Sequence, residues 1–217
     1  MAARTRTKIC GITRLEDALA AAEAGADAVG FVFVPASRRA VGVADARRIA
    51  ARLPAFVTPV GLFLDAPADE VARALDAVPG LVPQFHGTEP AADCERHGRP
   101  YLKALGLGGG GEGANEAPAA YAGAAGFLLD SHAPGALGGT GVALDWAGLD
   151  AEVAALGNRP LVLAGGLAPD NVGRAIGALS PWAVDVSSGV ESAPGVKDRD
   201  AVRAFLKAVR DADDERL

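Results

Sequence analysis

Two residues able to carry acid–base chemistry close apolar runs of the sequence. Cys10 ends Lys8-Ile9-Cys10, and Asp130 ends Gly126-Phe127-Leu128-Leu129-Asp130. A thiol that loses its proton is a base, and a carboxyl that keeps its proton is an acid. Such a pair moves protons without help from a cofactor. Each residue also has a plainer reading. A free cysteine is most often a small buried hydrophobe, and an acid just past a strand can simply cap a loop. Alternation along a strand puts Lys8 and Cys10 on one face and Ile9 on the other. Asp185 lies inside Ala183-Val184-Asp185-Val186-Ser187. There it reads as a buried carboxylate in need of a cation, either Lys8 or Lys103.

Anion chemistry is suggested at three places. Gly165-Gly166-Leu167 and Ser188-Gly189-Val190 each follow an apolar run. Glycine lets backbone N–H groups close on a phosphate, so Gly165, Gly166, Ser188 and Gly189 are candidate phosphate binders. Arg38 and Arg39 could pair a carboxylate with both arms of a guanidinium, or form an ordinary solvated surface pair. His86 closes another apolar run and is a candidate substrate contact. His132 stands two residues past Asp130, and Gly138-Gly139-Thr140-Gly141 follows in the same loop, as a lid or a linker. No spacing of His, Cys and acid resembles a metal site.

Gly106-Leu107-Gly108-Gly109-Gly110-Gly111 matches the dinucleotide fingerprint as a pattern, with Asp130 about twenty residues on. A nicotinamide-dependent oxidoreductase is therefore the rival reading. Three features weigh against it. Lys103 interrupts the preceding strand, Asn115 and Pro118 spoil the following helix, and the unit is the fifth of eight. A non-catalytic sugar-phosphate-binding barrel is a third reading; it needs the glycine loops but neither Cys10 nor Asp130.

These residues need a scaffold that gathers distant strand ends. Strands are expected at Thr7–Gly11, Ala28–Phe33, Val57–Leu64, Leu81–His86, Tyr101–Leu105, Gly126–Asp130, Leu161–Ala164 and Trp182–Ser187. Helices are expected at Leu15–Ala24, Ala44–Leu53, Ala68–Ala77, Glu89–His97, Glu116–Ala122 (weak), Leu144–Leu156, Pro169–Leu179 and Asp198–Val209. Eight alternating units predict an α/β fold, a (β/α)8 TIM barrel forming a single domain over residues 1–217. The segments entering strands are short and those leaving them long, as expected when function sits at the C-terminal face. Half of the 217 residues are hydrophobic, with few aromatics, which suits a parallel sheet buried on both faces. A net charge of −6 offers no general attraction for nucleic acid or anionic lipid. Two cysteines make no disulfide framework, and no apolar run is long enough to span a bilayer. A cytoplasmic protein acting on a small molecule, as monomer or homodimer, is expected.

The motifs together resemble phosphoribosylanthranilate isomerases. Lys8-Ile9-Cys10-Gly11-Ile12-Thr13, Gly30-Phe31-Val32-Phe33 with Ser37-Arg38-Arg39, and Val60-Gly61-Leu62-Phe63 are similar to that family's first three strands. Gln84-Phe85-His86-Gly87, Leu128-Leu129-Asp130 with Asp145-Trp146, Leu163-Ala164-Gly165-Gly166-Leu167 and Val184-Asp185-Val186-Ser187-Ser188-Gly189-Val190-Glu191 continue the likeness in order. Phe85, where the family usually has Leu, and the glycine-rich stretch at 106–115 depart from it. The resemblance implies Cys10 as general base, Asp130 as general acid and Arg39 at the anthranilate carboxylate. It places His86 and Asp185 on the substrate and the two glycine loops on its phosphate. It implies no cofactor.

Overall fold

The computed structural model describes residues 4–106, 116–130 and 146–216. Eight parallel strands close a barrel in chain order: β1 (Arg6–Cys10), β2 (Ala28–Val32), β3 (Thr58–Phe63), β4 (Val82–Phe85), β5 (Tyr101–Gly106), β6 (Ala124–Asp130), β7 (Leu161–Leu163) and β8 (Ala183–Val186). β8 pairs back onto β1, with Lys8 opposite Asp185. The helices are α1 (Leu15–Ala24), α2 (Val43–Ala50), α3 (Ala68–Ala77), α4 (Ala91–Glu95), α5 (Asp150–Ala155), α6 (Val172–Leu179) and α7 (Arg199–Asp214). The barrel expected from the sequence is therefore the fold observed. Among the described residues no helix is long and apolar enough to cross a membrane.

Strand alternation divides the core into two layers. Ala104, Leu128, Val162, Ala164 and Ala183 fill the barrel interior with small and branched side chains. Ile9, Val29, Phe31, Phe127, Leu129 and Val184 point outward and pack under the helices. Each fully buried Leu, Ile or Phe contributes about 1.5–3 kcal/mol, so the outer layer dominates stability. α7 shows how one helix is specified. Asp198 caps it by accepting from the N–H groups of Asp200 and Ala201, both at 2.9 Å. Val202, Phe205, Leu206 and Val209 then recur at helical spacing, and all are buried.

The expected elements differ from the observed ones where side chains compete for the backbone. The weak helix at Glu116–Ala122 is only a 3-10 turn, Pro118–Ala120. Arg159 donates to the carbonyls of Pro118 (2.7 Å) and Tyr121 (2.6 Å), tying this turn to the segment that enters β7. The helix expected from Glu89 begins at Ala91 because Glu89 is otherwise engaged. Its carboxylate accepts from the N–H groups of Asp65 and Gly87 and from Lys103 Nζ at 2.9 Å. Lys103 thus faces the outer layer and is not a partner for Asp185. The long loop after β8 is structured as well. A 3-10 turn, Ser188–Val190, leads into a hairpin of β9 (Glu191–Ala193) and β10 (Val196–Lys197). Pro194-Gly195 makes its turn, with Gly195 at φ 80°. His132, Gly138–Gly141, Asp145 and most of the Gly-rich stretch at 106–115 lie outside the described residues.

Candidate active site

The carboxyl ends of the strands open on one pocket. Cys10, Asp130 and Asp185 reach it from β1, β6 and β8. Arg39 reaches it from the loop after β2, His86 from just past β4, Gly165 and Gly166 from the loop after β7, and Ser188 from the 3-10 turn. Residues far apart in sequence meet because a closed parallel sheet puts every strand end on one rim.

Cys10 is 6% exposed and stands opposite Gly30 of β2. A β-carbon on Gly30 would lie 2.8 Å from Cys10 Sγ and 3.1 Å from Lys8 Cε. Gly30 thus leaves room for the thiol and the lysine stem side by side. Lys8 Nζ donates to Asp185 Oδ2 at 2.7 Å, and both residues are buried. Lys8 is therefore the cation that Asp185 requires. Burial disfavours the Lys8 charge, but Asp185 and Cys10 outweigh it and hold the ammonium above its usual pKa. Burial pushes Asp185 up, against Lys8 and with help from nearby Asp130. With Lys8 held charged at 2.7 Å, the two form an ion pair. Burial also pushes the Cys10 thiol up, opposed first by Lys8 and then by Lys197, with Asp185 raising it further. Cys94 is the buried residue of α4, its thiol pushed by burial to about 12, so it is an inert core residue.

Asp130 is 8% exposed, and its Oδ2 lies 3.5 Å from His86 Nε2. Gln84 Nε2 stands 3.3 Å from His86 Nδ1. A donor from Gln84 to Nδ1 leaves the ring proton on Nε2, facing the carboxylate. Arg39 is held by Glu191 of β9, Nε to Oε1 at 2.9 Å and Nη2 to Oε2 at 2.7 Å, whereas Arg38 is exposed. Next to Cys10, Val32, Val34, Leu62 and Leu64 form an apolar wall. Three buried polar atoms of pocket residues, Asp185 Oδ1, Gln84 Oε1 and Ser187 Oγ, find no hydrogen-bond partner among the described residues. A buried unpaired polar group costs about 1–3 kcal/mol, so this cluster suits a ligand rich in hydroxyl groups.

Gly165 and Gly166 have φ of 86° and 65°, which leaves their N–H groups free of the usual strand geometry. Gly189 does not line the pocket. A β-carbon there would sit 2.0 Å from the Leu167 carbonyl oxygen. Glycine is required there by packing of the 3-10 turn against the loop after β7. The apolar wall, Gln84 and Glu191 were not singled out from sequence. The wall had a signal, the inward alternation of Val32 with Val34 and of Leu62 with Leu64.

Comparison with known proteins agrees with this geometry. The family model described as N-(5'-phosphoribosyl)anthranilate (PRA) isomerase matches residues 7–208. An N-(5'-phosphoribosyl)anthranilate isomerase of Pseudomonas aeruginosa (strain UCBPP-PA14) is 58% identical over 205 residues, covering 94% of this chain and 95% of that protein. A solved structure described as mutually generated monomers of the dimeric Thermotoga maritima enzyme is 37% identical with a TM-score of 0.80, covering 95% and 99% of the two chains. Another, a phosphoribosylanthranilate isomerase in complex with reduced 1-(o-carboxyphenylamino)-1-deoxyribulose 5-phosphate, is 38% identical with a TM-score of 0.79 over the same shares. From β1 to α7, the chain belongs to the phosphoribosylanthranilate isomerase family.

Proposed function

We propose that Cys10 and Asp130 carry out the reaction of this family. The enzyme isomerises N-(5'-phosphoribosyl)anthranilate to 1-(2-carboxyphenylamino)-1-deoxyribulose 5-phosphate, the Amadori-type step of tryptophan biosynthesis. Asp130 gives a proton to the ribose ring oxygen as the ring opens. Cys10 takes the proton from C2′, and the resulting enolamine becomes the 1-deoxyribulose. Substrate and product are isomers, so no oxidant or cofactor enters the balance.

The observation that carries this reading is the shared pocket. A thiol and a carboxyl line it together with an arginine and two positive-φ glycines. Arg39 takes the anthranilate carboxylate, and the apolar wall beside Cys10 takes the ring. Asp185 accepts from a ribose hydroxyl, and His86 contacts the substrate beside Asp130. Backbone around Gly165, Gly166, Ser188 and Gly189 holds the phosphate, and Gly189 also packs against the Leu167 carbonyl. That a related structure binds a reduced form of the product supports this assignment. The gene is expected to restore growth of a tryptophan auxotroph lacking only this isomerase. Failure by well-expressed, folded protein would overturn the proposal.

Arg39→Ala is expected to weaken substrate binding by about thirtyfold, because a desolvated carboxylate loses its partner at a cost of about 2 kcal/mol. Arg38→Ala should change it less than about twofold, as exposed charges contribute little. Steady-state KM for the two variants decides; equal effects would remove Arg39 from the site. The remaining attributes follow the family: one barrel domain over 1–217, working in the cytoplasm on a small molecule, without nucleic acid or membrane, as monomer or homodimer. The Thermotoga maritima relative is described in both forms.

A further inference from the structure

We propose that Glu191 is a positioning residue for Arg39, fixing the guanidinium so that its free edge faces the substrate carboxylate. The proposal rests on Arg39 being the carboxylate anchor. Arginine can bind two planar anions at once, one along the Nε/Nη2 edge and one along the Nη1/Nη2 edge. Here Glu191 occupies the first edge with both oxygens, at 2.9 and 2.7 Å. Among the described residues no side chain takes the second edge, and Arg39 lines the pocket. The arginine stem lies against Gly11. A β-carbon on Gly11 would lie 2.6 Å from Arg39 Cδ, so the stem rests on bare backbone.

Glu191 is itself firmly held, which a positioning residue requires. Its side chain is 5% exposed and accepts from Lys197 Nζ at 2.7 Å and from Gly195 N–H at 3.3 Å. Lys197 also donates to the Ser187 carbonyl at 3.2 Å, and its own N–H donates to Asp17 at 3.0 Å. Thr13 Oγ1 ties the Gly195 carbonyl at 2.6 Å. The β9–β10 hairpin is therefore fastened to the β1 and β8 rims, and through Glu191 it aims a residue delivered by the β2 loop. Burial works against the Glu191 charge, but Arg39 and Lys197 outweigh it and hold the carboxyl below its usual range.

The sign of the effect separates positioning from charge. Glu191 is an anion near an anionic ligand, so by charge alone Glu191→Gln would tighten substrate binding. Positioning demands the reverse. Glu191→Gln is expected to raise KM about tenfold with kcat within about twofold, the size of coupling typical for residues in direct contact. Inhibition by inorganic phosphate, which reads the other end of the substrate, should not change. In an Arg39→Ala background the same substitution should add less than about twofold to KM. An unchanged or lowered KM for Glu191→Gln would overturn the proposal. So would an equal rise in both backgrounds, which would mean that Glu191 acts through the hairpin's folding. If Glu191→Gln does not fold, Glu191→Asp keeps the charge but draws it back by one methylene. The same KM rise is then expected, and a native KM overturns the idea. An Arg39→Ala enzyme with native KM would remove the anchor itself, and with it the proposal, while leaving any Glu191 effect unexplained by this route.

Discussion

Cys10→Ser is expected to lower kcat by about 10²–10⁴-fold or more at neutral pH, the usual contribution of a general base. Serine keeps the size and removes the base, since a hydroxyl holds its proton far more tightly than a thiol. Product binding should stay within a fewfold of native, because Cys10 contacts neither anionic end of the ligand in the proposed arrangement. The pH dependence follows from the direction of the thiol's shift. Burial raises Cys10, and Lys8 and Lys197 offset this only in part. The free enzyme therefore holds mostly thiol at neutral pH. The active form is the thiolate, whose fraction grows about tenfold per pH unit below the pKa. While Asp130 keeps its proton, the kcat/KM of the native enzyme should accordingly climb as pH rises through neutrality. In Cys10→Ser that rising limb should vanish. Near-native turnover of the variant, or a native kcat/KM that falls across this range, would make Cys10 a core residue.

The barrel was legible from the sequence because its signals are redundant. Each apolar run of the outer layer, such as Phe127 and Leu129 on β6, repeats what the neighbouring strands say. The catalytic candidates were legible because strand ends in such a fold converge by topology, so Cys10 and Asp130 could be placed on one rim before any distance was known. Partner choice was less legible. Lys8 and Lys103 looked equivalent as partners of Asp185, and only strand register decides between them: Lys8 stands directly opposite Asp185, while Lys103 turns outward to Glu89. The packing demand for glycine at Gly189 is not legible either, since it comes from the Leu167 carbonyl, a tertiary contact with no local signature. Glu191 escaped notice for the same reason, since its partner Arg39 lies 152 positions away. The upward shift of the Cys10 thiol is not legible in the sequence, because Lys8 two residues off is visible there, whereas the depth of burial that outweighs it is not.

Asp130→Asn should lower kcat by about 10²–10⁴-fold, the range for loss of a general acid. The amide fills the same volume and can still accept a hydrogen bond from His86, whose Nε2 lies 3.5 Å from Oδ2. It cannot release a proton to the ribose ring oxygen, so ring opening loses its acid while the pocket keeps its shape. KM and product affinity are therefore expected to stay within a fewfold of native. A native acid that must be protonated also imposes a falling limb on the rate at high pH. That limb should disappear in Asp130→Asn while the rising limb of Cys10 survives, the mirror image of Cys10→Ser. The competing role for an acid at the end of β6 is a structural one, closing the strand or bracing His86. A structural carboxylate would show itself differently: its loss would cost about 0.5–2 kcal/mol of stability, as loss of a capping side chain does, and lower Tm by several degrees, with kcat little changed. Thermal melts and steady-state kinetics on the one variant separate the two. A native Tm with a collapsed kcat assigns the proton to Asp130; a native kcat with a lowered Tm would return Asp130 to the architecture of β6.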